Sequence, residues 1–418
     1  MSIRTLALAV SLALGVSSVV AVVAPQSAYA AEKDQQKVSN KVGVALKAAQ
    51  EAITKKQFDV ANAKIKEAEA VEKKTPFDQF QINEFWAFYY ANQNKHSELV
   101  PLYEKSLEMN QFLAPEQASL RVKVLSQLTF RAQQYAKSID YAKRYLKDHP
   151  NDVELYGVMA DSYYRQGDCK QSREAAYTAM SVADKAGNPP QEPWLLFART
   201  CSGKLDDAAG YVSALEKLVR HYPKPEYWES LLDRASRNER NDRVMFGIFR
   251  LQSEVGALKK AEHYMEYAQI AVDQAMPGEA LKVVETGFKK EVLGVEQKDK
   301  ERHQRLLNGI KEKATADRAQ LPQYEKEALA STAPTGQLDA GLGLAYFSYD
   351  MYDQAIQSLE KGLKKGGLKN SDEYRIVLGI AQLRKGQRDL ARTQFKSVPA
   401  DSPMAKIANL WTLRTYNN

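Results

Sequence analysis

The side chains capable of chemistry are scattered through this 418-residue chain. The five histidines (His96, His149, His221, His263 and His303) show no H-E-x-x-H and no partner at helical spacing, so no metal-ligand pattern is present. No histidine lies beside Cys169 to activate its thiol as a nucleophile. The chain lacks G-x-x-x-x-G-K-[ST], G-x-G-x-x-G and G-x-S-x-G, the phosphate cradles and nucleophile elbow of common enzyme classes. Lys365-Gly366-Gly367 reads as a helix stop, and Asp206-Asp207 as acids at a helix start, where they complement the dipole. What remains is a cysteine pair and several aromatic rings beside cations. Rings and cations in that company bind; they do not react. The expectation is a non-enzymatic protein with no cofactor and no metal.

One small residue sets the elements that must carry these groups. Ala61, Leu99, Ser138, Ser172, Ala208, Ala280, Ala355 and Ala391 each follow a polar turn, at gaps of 38, 39, 34, 36, 72, 75 and 36. The two long gaps read as doubled steps. Such a period predicts stacked helical hairpins, each packing on its neighbours, in place of one enzyme-like core. In one unit Tyr156, Met159, Ala160 and Tyr163 form a stripe, Gln166-Gly167-Asp168 breaks it, and Ser172, Ala176 and Ala179 line the next helix. Large residues facing small ones let two helices approach closely. Cys169 starts the second helix of that hairpin and Cys201 ends the first helix of the next. Those ends should be neighbours, and the expectation is a Cys169–Cys201 disulfide.

Arg4 is the only charge in the first thirty residues, before an apolar run from Leu6 to Val23, Pro25 and Ala28-Tyr29-Ala30. This reads as a signal peptide, residues 1–30, cut after Ala30, and it places the mature protein in the periplasm. No later segment is apolar enough to span a membrane. Without Arg4, 58 basic residues face 52 acidic ones. Their mixing along helix faces points away from nucleic acid. Residues 31–41 read as a linker, 42–288 as the repeat array, and 289–333 as a charged, irregular helical segment. Residues 334–403 read as further repeats. Residues 404–418, with Ile407, Leu410, Trp411 and Leu413 on one face, read as a capping helix.

The Ala160…Tyr163…Ser172…Ala176…Ala179 pattern resembles the tetratricopeptide repeat family. Leu342, Gly343, Tyr346, Ala355, Leu359 and Gly362 repeat it, as do Leu378, Gly379, Ala391 and Phe395. The resemblance implies an all-α, right-handed superhelical solenoid of about ten hairpins with a C-terminal capping helix. It also implies that side chains of each first helix line a concave face. On that phase Phe88, Lys123, Phe130, Arg131, Asp161, Tyr164 and Arg165 point inward and would hold an extended peptide. The segment from Val38 to Asn92 is similar to tetratricopeptide proteins that accompany TonB-type uptake systems, which implies TonB, ExbB and ExbD-like partners. The alternatives are a scaffold for polysaccharide export or secretion, and a helical accessory to cell-wall enzymes.

Overall fold

The computed structural model describes residues 37–417 and, within the apolar N-terminal run, the backbone of two short strands. These strands, β1 (Ala7–Val10) and β2 (Val20–Val23), pair antiparallel. The rest of the expected leader, its cut after Ala30 and the linker up to residue 36 lie outside the described residues. From Asn40 onward all regular structure is helical. The chain divides into two compact units between Ala208 and Ala209.

The first unit contains α1 (Asn40–Thr54), α2 (Phe58–Glu69), α3 (Pro76–Ala91), α4 (His96–Glu108), α5 (Pro115–Arg131), α6 (Tyr135–Leu146), α7 (Val153–Arg165), α8 (Cys169–Lys185) and α9 (Glu192–Lys204). The second contains α10 (Ala208–His221), α11 (Pro225–Ser236), α12 (Asp242–Glu254), α13 (Ala261–Asp273), α14 (Pro277–Lys289), α15 (Gln297–Ala330), α16 (Gln337–Ser348), α17 (Tyr352–Lys365), α18 (Ser371–Arg384), α19 (Arg388–Lys396) and α20 (Ala405–Arg414). Sequential helices pack on one another from α1 through α9 and again from α11 through α20.

The turns explain the period. Lys56, Asn94, Gln133, Gly167, Asp206, Ala275, Asp350 and Gly386 all adopt positive φ between two helices. The amide after each closes onto a carbonyl five residues back: Gln57 to Ala52 at 2.8 Å, Asp168 to Tyr163 at 3.0 Å, Gln387 to Gln382 at 2.9 Å. This Schellman closure satisfies carbonyls left open at the helix end. Five residues after each left-handed residue comes the position against the first helix: Ala61, Leu99, Ser138, Ser172, Tyr211, Ala280, Ala355 and Ala391. Ala208 is therefore misregistered by three residues, and it is exposed. The close approach is direct. Ser138 Oγ donates to the Ser126 carbonyl and Ser172 Oγ to the Ala160 carbonyl, both at 2.8 Å. A Cβ on Gly379 would lie 2.5 Å from the Phe395 ring, so only glycine admits that ring.

The two long gaps have different causes. Between Ala208 and Ala280 a further turn occurs at Asn238, joining α11 to α12. Between Ala280 and Ala355 there is no hairpin. The charged segment is helical as expected, but most of it is one regular 34-residue helix, α15, and not an irregular stretch. It buries a narrow stripe of His303, Ile310, Ala314, Leu321 and Ala328 and leaves its other faces to water, which the heptad-like spacing of that stripe permits. The Tyr349 hydroxyl secures it, 2.9 Å from the Ala314 carbonyl and 2.7 Å from Asp317 Oδ2.

The last helix does more than cap. Trp411 stacks on Phe395 of α19 with centroids 6.0 Å apart, and α20 also packs back on α12. Gly247 of α12 has no room for a Cβ, which would meet Ile407 at 2.8 Å. Lys406 Nζ donates to the Ala235 carbonyl, and Asn417 Nδ2 donates to the Val219 carbonyl at 2.9 Å. The Tyr416 ring lies between the guanidinium groups of Arg220 and Arg392, each 4.4 Å away. The second unit thus closes on itself.

Candidate protein-binding face

In the first unit, the C-terminal ends of α5, α7 and α9 present a row of cations. Arg131, Arg165 and Lys204 each stand two residues before the left-handed residue of the following turn. The helix C-terminus favours a positive charge there, so the row follows from the repeat itself. Arg131 is half-buried and forms no ion pair among the described residues. Burial, followed by the Arg131 charge, holds His96 below the ordinary histidine range. Arg165 is exposed; its Nε donates to Asp161 Oδ1 at 2.9 Å, which further favours its charged form. Lys204 Nζ lies 5.0 Å from the Tyr164 ring centre, within cation–π range.

Aromatic rings accompany the row. Tyr164 packs on Phe197 of α9 with centroids 5.3 Å apart. Phe130 packs on Tyr135 at 5.8 Å. Phe197 and Lys204 were missed in the sequence reading. The signal for Lys204 was its place before the turn, equivalent to Arg131 and Arg165.

The expected inward set divides. Phe130, Arg131, Asp161, Tyr164 and Arg165 fall on the first-helix ends just described, while Lys123 is engaged elsewhere. It pairs with Asp152 at 2.6 Å and Glu154 at 3.3 Å, tying α5 to the start of α7. Phe88 must be corrected: it is 7% exposed and sits in a core with residues of α1 and α2. Here α1 packs directly against α3 and covers the ring.

The cysteine expectation also changes. Cys169 and Cys201 are both buried and both free, not bridged. They are neighbours all the same: burial and hydrogen bonding to Cys169 push the Cys201 thiol up to about 12.

The strongest electrostatics lie in the second unit. Arg250 of α12 donates from Nε to Glu279 Oε1 at 2.8 Å and from a terminal nitrogen to Oε2 at 2.7 Å. Tyr267 Oη donates to Glu279 Oε1 at 2.7 Å, and the Glu279 amide donates to Ser348 Oγ at 3.0 Å. Burial pushes the Tyr267 phenol well up, and the neighbouring Glu279 charge adds to it. The adjoining cavity, lined in part by Arg384 and Asp350, holds about 60 Å³, room for a few waters at most. Its groups satisfy one another and hold helices together. Among the described residues no cluster of His, Cys, Asp or Glu is arranged to hold a metal ion.

These hairpins make an all-helical repeat protein, and their turn-and-small-residue pattern resembles that of tetratricopeptide repeats. Comparison with known proteins adds likeness of fold and nothing finer. No family model and no curated protein matches the chain. Among solved structures it is similar to PilW, a type IV pilus biogenesis factor, at 18% identity over 46% of this chain and 82% of that one, TM-score 0.31. A tetratricopeptide repeat protein from Parabacteroides merdae matches at 10% identity over 81% and 99%, TM-score 0.30. MamA from Desulfovibrio magneticus matches at 13% over 49% and 100%, TM-score 0.31. Scores this low carry no argument about function.

Proposed function

We propose that the protein is a non-enzymatic scaffold that holds extended peptide segments of partner proteins along the first unit. The observation that carries this is the row Arg131, Arg165 and Lys204 with the Tyr164–Phe197 stack beside it. Rings supply contact area, and cations take main-chain carbonyls or carboxylates. The apolar leader favours export to the periplasm, and the likeness of residues 38–92 to TonB-associated repeat proteins favours envelope partners of the TonB, ExbB and ExbD kind. A scaffold for polysaccharide export is the second reading.

The test is affinity capture from envelope extracts with wild type and a Tyr164→Ala, Arg165→Ala variant. Both side chains are only partly buried, so the variant keeps its helical circular dichroism. Loss of the main captured protein supports the reading. Identical capture profiles place binding elsewhere. Recovery of transport components or of polymer-export components separates the two partner classes.

A further inference from the structure

The second unit carries a groove of its own, lined by residues of α13 and α15. In several places alternate helices pack directly: α5 on α7, α7 on α9, α16 on α18. Between α13 and α15 they part, leaving an open groove of about 660 Å³, a size suited to binding. One wall is acidic: Glu262 and Glu266, one turn apart on α13, are exposed and form no ion pair among the described residues. The facing wall is basic on balance: Arg302 and Arg305 of α15, 63% and 75% exposed, stand against one acid in the lining, Asp299. Their acids lie on their own helix, Asp299 at 4.0 Å and Glu301 at 3.6 Å. Met265 and Leu306 supply apolar lining. The buried His303 also lines the groove, its Nδ1 accepting the Gly294 amide at 3.0 Å.

Walls of opposite net charge, with no salt bridge across them among the described residues, are matched by an occupant that is cationic toward α13 and anionic toward α15. An extended chain meets that requirement by itself, because successive side chains point to opposite sides. We propose that this groove binds an extended protein segment of alternating basic and acidic residues. Helical occupants fit less well, because residues three and four apart share a face.

The test uses the full chain and four fluorescein-labelled hexapeptides, read by fluorescence polarisation at low salt. One alternates lysine and glutamate, one has three lysines followed by three glutamates, one is all lysine and one all glutamate. The alternating peptide should bind tightest, and salt should weaken it. Reversing one wall, Glu262→Lys with Glu266→Lys, should weaken it about tenfold, as should Arg302→Glu with Arg305→Glu. Reversing both walls together should restore binding, since an alternating strand regains its match by sliding one residue. Equal binding of all four peptides, no binding, a preference for either single-charge peptide, or wall reversals without effect each overturn the proposal. The Tyr164→Ala, Arg165→Ala variant should bind the alternating peptide like wild type, so a failure here leaves the scaffold reading standing.

Discussion

Arg250 and Glu279 form a two-pronged ion pair, with contacts of 2.8 and 2.7 Å, at 3% and 9% side-chain exposure. Taking both charges out of water is costly, and the pair holds only because its remaining polar atoms are also matched. The guanidinium stacks 3.7 Å from the Phe246 ring centre, and Tyr267 donates to the carboxylate. The pair joins α12 to α14.

Removing one partner should therefore harm more than the net worth of the pair. Glu279→Ala leaves a buried guanidinium uncompensated and should cost about 3–5 kcal/mol, read as a lower urea midpoint. Burial alone would raise the Glu279 carboxyl, but Arg250 outweighs it and the carboxyl sits below its ordinary 4.5. A depressed carboxyl contributes stability that is present above the unfolded value and lost as pH falls through the folded one. Wild type should lose stability below about pH 4.5, and Glu279→Gln should flatten that dependence. An unchanged acid slope in the variant would sink the assignment.

The turns offer a backbone test. Gln133 and Ala275 hold left-handed φ of 61° and 55° with a side chain attached, a conformation that costs roughly 1–2 kcal/mol outside glycine. Glycine also loses more entropy on folding, so Gln133→Gly or Ala275→Gly should stabilise by about 0.5–1 kcal/mol. Gly167→Ala should do the reverse, since its Cβ would meet nothing within 4 Å and only the backbone objects. Thermal melts of the three variants decide it.

Closure of the second unit rests on α20. Trp411 is fully buried, and Trp411→Ala should cost about 3–5 kcal/mol. Limited proteolysis should then cut within the second unit first. Cleavage spread evenly over both units would contradict a local closure.

The dithiol predicts a redox result. Cys201, pushed to about 12 by burial and by Cys169, should ignore a thiol reagent at neutral pH until the chain is unfolded. Protein treated with a disulfide oxidant is expected to join these two neighbouring thiols. It would then be two hydrogens lighter by intact mass and more stable by about 3–4 kcal/mol in the chain-entropy account. An unchanged mass after treatment with a disulfide oxidant would rule out pairing.

Neighbouring first helices lie about 8–10 Å apart, and an extended chain rises about 3.3 Å per residue. A peptide running along Arg131, Arg165 and Lys204 should therefore prefer acidic residues at every third position. Peptide arrays that vary the spacing from two to four would show this preference directly.

The hairpins were legible because close helix contact demands a small residue at one place, and Ser138 and Ser172 sit there one period apart. Ala208 misled because alanines are common, and nothing in Asp206 announces a left-handed turn. Phe88 was placed on the right helix but given to solvent, since no local pattern says that α1 lies over it. The 75-residue gap mimicked two steps, whereas a heptad-like stripe through Ile310, Ala314 and Leu321 builds one long helix.

Local sequence by itself determined which stretches are helices, where they turn and which face of each is dry. Those choices depend on spacings of a few residues. Only the tertiary structure decided that α20 returns to α12, that Arg250 finds Glu279, and that α13 and α15 stand apart around a groove. Such contacts join residues far apart in the chain, and one arginine or glutamate among many carries no mark of its partner until packing brings them together.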